Sequence, residues 1–261
     1  TQVDIDEEDS LSRRFDRRCA RKLLDVAVIR LPRISNFTDF SPFERYENVS
    51  VRYVDCVGDL GRPDLILLPG TKSTLADLAW LRQSGLEAAL LRAAEAGTLL
   101  MGICGGYQML GSQIEDPEQV EACGITRMKG MGLLEMETVF APKKVQRQTS
   151  GTFSGVTGVL EPLNGLRYEG YEIHMGRSRE ERPAINGGGN VYGSYIHGLF
   201  DAPGVADAVL RAVCLRQGID PEGLGAFDMT QYRQQQYDLL ARTVRQGLDM
   251  ERIYRILKRE E

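Results

Sequence analysis

The sequence predicts an α/β protein built on an open, mainly parallel sheet with helices on both faces. Three observations carry this. Short apolar runs rich in β-branched residues recur through the first half, helical segments alternate with them, and one such run ends at a glycine-flanked cysteine that opens a helix. Strands buried on both faces read as continuous apolar runs, and their alternation with helices is the mark of βα units.

Residues 1–24 read as a lead-in. Acidic DIDEEDS gives way to basic RRFDRRCARK, with Arg13, Arg14, Arg17, Arg18 and Arg21 at helical spacing. The pattern fits a solvated helix, or a linker or docking face for an upstream partner. The main domain is expected over residues 25–205. Asp25 to Pro32, Val49 to Asp55, Asp64 to Gly70 and Thr98 to Ile103 read as strands. Between the last two lies a helical stretch, broken near Ser84-Gly85. The second half changes character. MKGMGLLEMETVFAP, GTFSGVTGVL, RYEGYEIHMGRS and NVYGSYIHGLF read as shorter, antiparallel strands, and Asn186 to Asn190 as a hairpin turn. Residues 206–261 read as a helical C-terminal extension.

Composition narrows the class. Of 261 residues, 42% are hydrophobic and 26% charged, the balance of a soluble globular protein. A net charge of -5 gives no general attraction to nucleic acid or anionic lipid. No apolar run is long enough for a membrane span, and TQVDIDEEDS does not read as a signal peptide. The five cysteines are scattered, without CxxC pairs, so a reducing cytoplasm is the expected setting. No GxxxxGK[ST] phosphate loop occurs, and no metal site is expected.

The informative segment is TLLMGICGGYQMLG. A buried strand runs into a helix with Cys104 at the junction, among Gly102, Gly105 and Gly106. This is the nucleophile-elbow arrangement with cysteine in place of serine. So sharp a turn forces unusual dihedrals on its central residue, and small neighbours keep the backbones from colliding. The sulfur then stands at a helix N-terminus, where the dipole and free N–H groups favour the thiolate. The Gly105 N–H is placed to hold an oxyanion. Gln108 follows by one helical turn, facing either the same pocket or solvent.

LPGTKST also ends a strand at the carboxyl edge of the sheet, where open α/β sheets bind ligands. The Gly70 N–H is a candidate second oxyanion donor. Lys72, Ser73 and Thr74 read equally well as helix-capping residues. Only two histidines exist, His174 and His197. His197 lies where a strand gives way to Gly198 and is favoured as the base. Alternation places His174 within a strand, as a hydrogen-bonded structural residue.

Taken together, GICGGYQMLG, LPGTKST, GYEIHMG and YIHGLFD resemble the class I glutamine amidotransferase family, which has a flavodoxin-like fold. Within it they resemble the cobalamin-pathway branch, and the cobyric acid synthases more than the cobyrinic acid a,c-diamide synthases. The resemblance covers Asp25 to Val205, and AFDMTQYRQQQYDLLARTVRQGLDM resembles the C-terminus of the same enzymes. It implies that Cys104 is the nucleophile, His197 the catalytic histidine, Gly70 and Gly105 the oxyanion donors and Gln108 a glutamine-pocket residue. The wider family places glutamate two residues after the histidine. Here Leu199 stands there, as it does in the cobalamin branch, which leaves the orienter of His197 open, with Asp201 and Glu172 as candidates.

The resemblance also implies a division of labour. This chain would hydrolyse glutamine through a cysteine thioester, with no cofactor of its own. An N-terminal synthetase domain, with ATP and Mg²⁺, would use the ammonia to amidate adenosylcobyrinic acid a,c-diamide. Alternatives are a glutaminase for another carboxylate ligase, such as the enzyme amidating lipid II, a cysteine peptidase or other amidase with the same elbow, and a non-catalytic glutamine-binding module.

Overall fold

The computed structural model describes residues 22–178, 183–225 and 227–258. The arginine-rich lead-in read near the start lies outside the described residues. The central sheet has six strands: β1 (Leu24–Ile29), β2 (Val49–Val54), β3 (Leu65–Leu68), β4 (Leu99–Ile103), β7 (Asn186–Gly188) and β8 (Val191–Ser194). Between β4 and β7 in the chain come two strands of a separate sheet, β5 (Val145–Thr152) and β6 (Arg167–His174). The order across the central sheet is β7-β8-β4-β3-β1-β2. Every neighbour pairs in parallel except the β7–β8 hairpin at the edge, so the predicted mainly parallel sheet is found.

The strands predicted from apolar runs appear within one to three residues of their expected bounds. The helical stretch breaks where predicted, into α1 (Thr74–Gln83) and α2 (Leu86–Glu95), with Gly85 left-handed between them at φ 78°. α3 (Gly105–Leu110) follows β4 directly, and α4 (Val205–Gln217) follows β8 after a two-residue strand and a short 3-10 turn. The pleat divides the core between the two faces. Ala27 and Ile29 pack with Leu75, Leu78 and Leu90 of α1 and α2 on one side. Val26 and Val28 pack with Val209, Leu210 and Val213 of α4 on the other. Helix α4, read from sequence as the opening of a C-terminal extension, thus closes one face of the main core. Beyond it, α5 (Met229–Gly247) and α6 (Met250–Lys258) are largely exposed, and α5 is tied to the body by an Arg233–Asp201 ion pair of 2.9 Å.

The second half departs from expectation at two places: Val191–Ser194, read among the antiparallel strands, joins the central sheet parallel to β4, and one strand is shifted along the chain. GTFSGVTGVL holds strand only at Gly151-Thr152, the end of β5. The strand proper is VQRQTSGT, which pairs antiparallel with β6 and is mostly exposed. A two-stranded ladder exposed to water needs no apolar alternation, so its sequence does not advertise it. A two-residue strand, β9 (Ile196–His197), joins the other edge of β6 and brings His197 to the rim of the central sheet. Among the described residues no helix is long and apolar enough to cross a membrane.

Candidate active site

Four chain segments meet at the carboxyl ends of the central strands: residues 35–39 after β1, Gly70-Thr71 after β3, Cys104 after β4 and His197 after β8. An open sheet of this kind leaves a crevice there because its helices pack to opposite faces. Ile34–Ser35 pairs antiparallel with Gly70–Thr71 and fastens two of the segments together.

Cys104 is the pivot. Its φ of 51° and ψ of -108° are unusual for a residue with a side chain. Its N–H donates to Ser194 O at 2.8 Å, and its carbonyl accepts from Gln108 N at 3.0 Å, beginning α3. The flanking glycines are required by contact. A Cβ on Gly106 would stand 2.0 Å from Leu68 O, and one on Gly102 would stand 2.7 Å from Gly106 C. Helix α3 therefore packs backbone against backbone on the end of β3. Strain held by such packing is a common mark of functional positions.

The imidazole of His197 is buried. Its Nδ1 lies 2.7 Å from Asp39 Oδ2, and the Gly198 N–H donates to Asp39 Oδ1 at 2.9 Å. One carboxylate thus fixes both the ring and the turn that follows it, where Gly198 is left-handed at φ 72°. Tyr171 stacks on the ring with centroids 5.3 Å apart, and its hydroxyl accepts from Asn36 Nδ2 at 2.7 Å. Among the described residues His197 Nε2 has no hydrogen-bond partner. Burial by itself would lower the imidazole pKa. The hydrogen bond and charge of Asp39 outweigh it, Cys104 adds in the same direction, and the pKa is pushed up to about 10. The ring therefore carries its second proton at neutral pH.

The orienter is not one that spacing offered. Glu172 accepts from Arg147 at 2.9 Å and lies 3.4 Å from His174 Nε2. Burial would raise its pKa, but the Arg147 hydrogen bond and charge hold it below the usual carboxylate range. Asp201 takes the Arg233 guanidinium. Leu199 is buried in the apolar cluster on the α4 face of the sheet, so a carboxylate at that position would lie in the core. Asp39 approaches from the opposite end of the chain. Its only trace in the sequence is an acidic residue set among Phe37, Phe40 and Phe43, all three buried.

Of the remaining predicted residues, Gly105, Gln108 and His174 line one cavity of about 390 Å³ together with Cys104, Thr74 and Glu121, and Gly70 does not line it. Gln108 is buried, not a surface residue. Its Nε2 donates to Met175 O at 3.0 Å, and its Oε1 accepts from Thr74 Oγ1 at 3.1 Å. Gly70 lies against the His197 ring, where a Cβ would be 3.3 Å from Cε1. Gly105 lies against Thr71, where a Cβ would be 2.8 Å from Cγ2. His174 lies within a strand as read, as the last residue of β6. Its ring is held by Gly176 O at 3.1 Å from Nδ1 and stacks on Tyr195 at 4.0 Å. The helix opened by Ser73 is capped from elsewhere: Glu121 accepts from Thr74 N at 2.6 Å and from Leu75 N at 2.8 Å. Sequence reasoning gave no sign of Glu121, which no motif contains.

A cysteine at an elbow, beside a protonated imidazole fixed by a buried carboxylate, is an arrangement suited to acyl transfer from an amide. Comparison with known proteins agrees. A family model described as the CobB/CobQ-like glutamine amidotransferase domain matches residues 25–205. The chain is 50% identical to a cobyric acid synthase of Lachnoclostridium phytofermentans, over 99% of this chain and 55% of that protein. It is 44% identical to one of Ruminiclostridium cellulolyticum, over 98% and 53%. The chain spans about half the length of the curated relatives it matches. A solved structure of a glutamine amidotransferase superimposes with a TM-score of 0.49 at 16% identity, covering 74% of this chain and 99% of that one.

Proposed function

Because the chain belongs to the CobB/CobQ-like glutamine amidotransferase domain family, we propose that its Cys104 and His197 hydrolyse glutamine to glutamate and ammonia. The observation that carries this reading is the left-handed Cys104 at the β4–α3 junction, beside an imidazole held protonated by Asp39.

The Cys104 thiolate attacks the side-chain amide carbon of glutamine. The carbonyl oxygen becomes an oxyanion and takes hydrogen bonds from the N–H groups of Gly70 and Gly105. His197 gives its proton to the departing nitrogen, which leaves as ammonia, and a thioester remains on Cys104. Water then attacks the thioester and passes a proton to the now neutral His197. Collapse of the second tetrahedral intermediate releases glutamate and restores the thiolate–imidazolium pair. Asp39 is the positioning residue: it fixes the ring tautomer and stabilises the charged imidazole without itself taking the proton. Gln108 shapes the pocket wall, and His174 holds β6 against Tyr195.

In the whole protein this activity serves a cobyric acid synthase. An N-terminal synthetase domain, using ATP and Mg²⁺, activates carboxylates of adenosylcobyrinic acid a,c-diamide, and the ammonia made at Cys104 converts them to amides. The near-full coverage of this chain by relatives of that name supports the assignment, together with their extra length. The test is Cys104→Ala in the intact protein. Glutamine-dependent amidation is expected to vanish while amidation driven by added ammonia survives. Equal loss of both would remove Cys104 from the ammonia supply and refute the reading.

A further inference from the structure

From the wall of the Cys104 cavity we infer that Glu121 is the specificity residue for the α-ammonium of the substrate, setting an amino acid apart from a simple amide. This rests on the glutaminase reading above.

The observations converge on that carboxylate. Among the described residues lining the cavity, Glu121 is the sole acidic side chain. Lys72 and Lys144 line the same space. A pocket carrying both signs of charge complements a zwitterion, whereas an uncharged amide would be served by apolar walls. Glu121 is also close to the chemistry. A Cβ at Gly105, next to the nucleophile, would stand 3.3 Å from Thr74 Oγ1, and the Thr74 N–H is the shortest donor to Glu121.

The carboxylate is held in place before any ligand arrives. Oε1 accepts from Thr74 N, and Oε2 accepts from Leu75 N and, at 3.4 Å, from Ser73 Oγ. The loop behind it is built to aim it. Asp116 is fully buried and accepts from Val120 N at 2.7 Å and Glu121 N at 2.9 Å. On either side, Gln119 and Ala122 are left-handed at φ 53° and 49°, a conformation that residues with a Cβ rarely adopt. Fixing one side chain with two strained neighbours and a buried acid is more than capping a helix end requires.

The experiment uses the full chain, glutamine, and glutaramate, which is glutamine without its α-amino group. For Glu121→Gln, kcat/KM for glutamine is expected to fall about 10- to 100-fold, through KM, the loss of one charge-assisted hydrogen bond. With glutaramate the variant and the wild type should perform alike. Both substrates are measured on one preparation, so the ratio is independent of folded fraction. Equal losses on the two substrates would make Glu121 a helix cap only, and no loss on either would also overturn the inference. A wild-type chain that hydrolyses neither substrate would instead refute the glutaminase reading itself.

Discussion

Asp39 and His197 stand 158 positions apart in the chain and 2.7 Å apart in the fold. Because the same carboxylate also takes the Gly198 N–H, the pair fixes the ring, its tautomer and the turn beyond it. Asp39→Asn keeps the shape and removes the charge. It should lower kcat by about 10²- to 10⁴-fold, the range of a disabled acid–base group. The pH dependence of stability should change with it. A histidine raised from 6.5 to about 10 stabilises the fold fully below pH 6.5, and that contribution fades as pH climbs through the window to about 10. Urea titrations across that window should show wild-type stability declining and the variant declining less. Parallel curves would mean that Asp39 does not hold the proton on His197.

Cys104 is held in a conformation that glycine adopts freely and other residues do not. Cys104→Ala and Cys104→Gly should both lose glutaminase activity. Their stabilities should differ, with the glycine variant the more stable by about 1 kcal/mol, because it relieves left-handed strain. Denaturant midpoints decide this. An alanine variant as stable as the glycine one would show that the elbow holds little strain.

The two histidines should separate by what they lose. His197→Ala should remove about 10²- to 10⁴-fold of kcat per folded molecule, with some loss of stability because the buried Asp39 loses its partner. His174→Ala breaks the hydrogen bond to Gly176 and the stack on Tyr195, so it should act on stability. Activity per folded molecule, with folded fraction read by circular dichroism, checks both. A larger catalytic loss for His174→Ala would reverse the roles.

Gly106→Ala puts a methyl group 2.0 Å from the Leu68 carbonyl oxygen. Neither backbone can retreat without moving β3 or α3. The change should destabilise the protein by about 3 kcal/mol, the upper range for overpacking. Gly124→Ala, which meets nothing within 4 Å but sits at φ 76°, should lose only the conformational part, about 1 kcal/mol. Thermal melting of the two variants tests the ordering.

How much of this was legible depended on the physical source of each feature. Val26, Ile66 and Leu100 lie in strands covered on both faces, and such strands must be apolar along their whole length. The elbow was legible because close backbone approach demands glycine at fixed offsets from Cys104. β5 was misplaced because Gln146, Arg147 and Gln148 face water and leave no periodic trace. Asp39 and Glu121 were missed for a different reason. Each acts through a contact with a distant segment, and neither local pattern nor motif spacing encodes such a meeting. Leu199 marked the gap that Asp39 fills, but only the fold shows from which side.

The nucleophile, its acid and the orienting carboxylate come from segments around residues 104, 197 and 39, each anchored beside buried core residues on a different strand end. No single strand end carries two of the three. Catalysis is therefore a reading of the whole cooperative unit. A proteolytic nick or a partly melted form that releases any one strand end should be silent, and loss of turnover during denaturation should coincide with global unfolding.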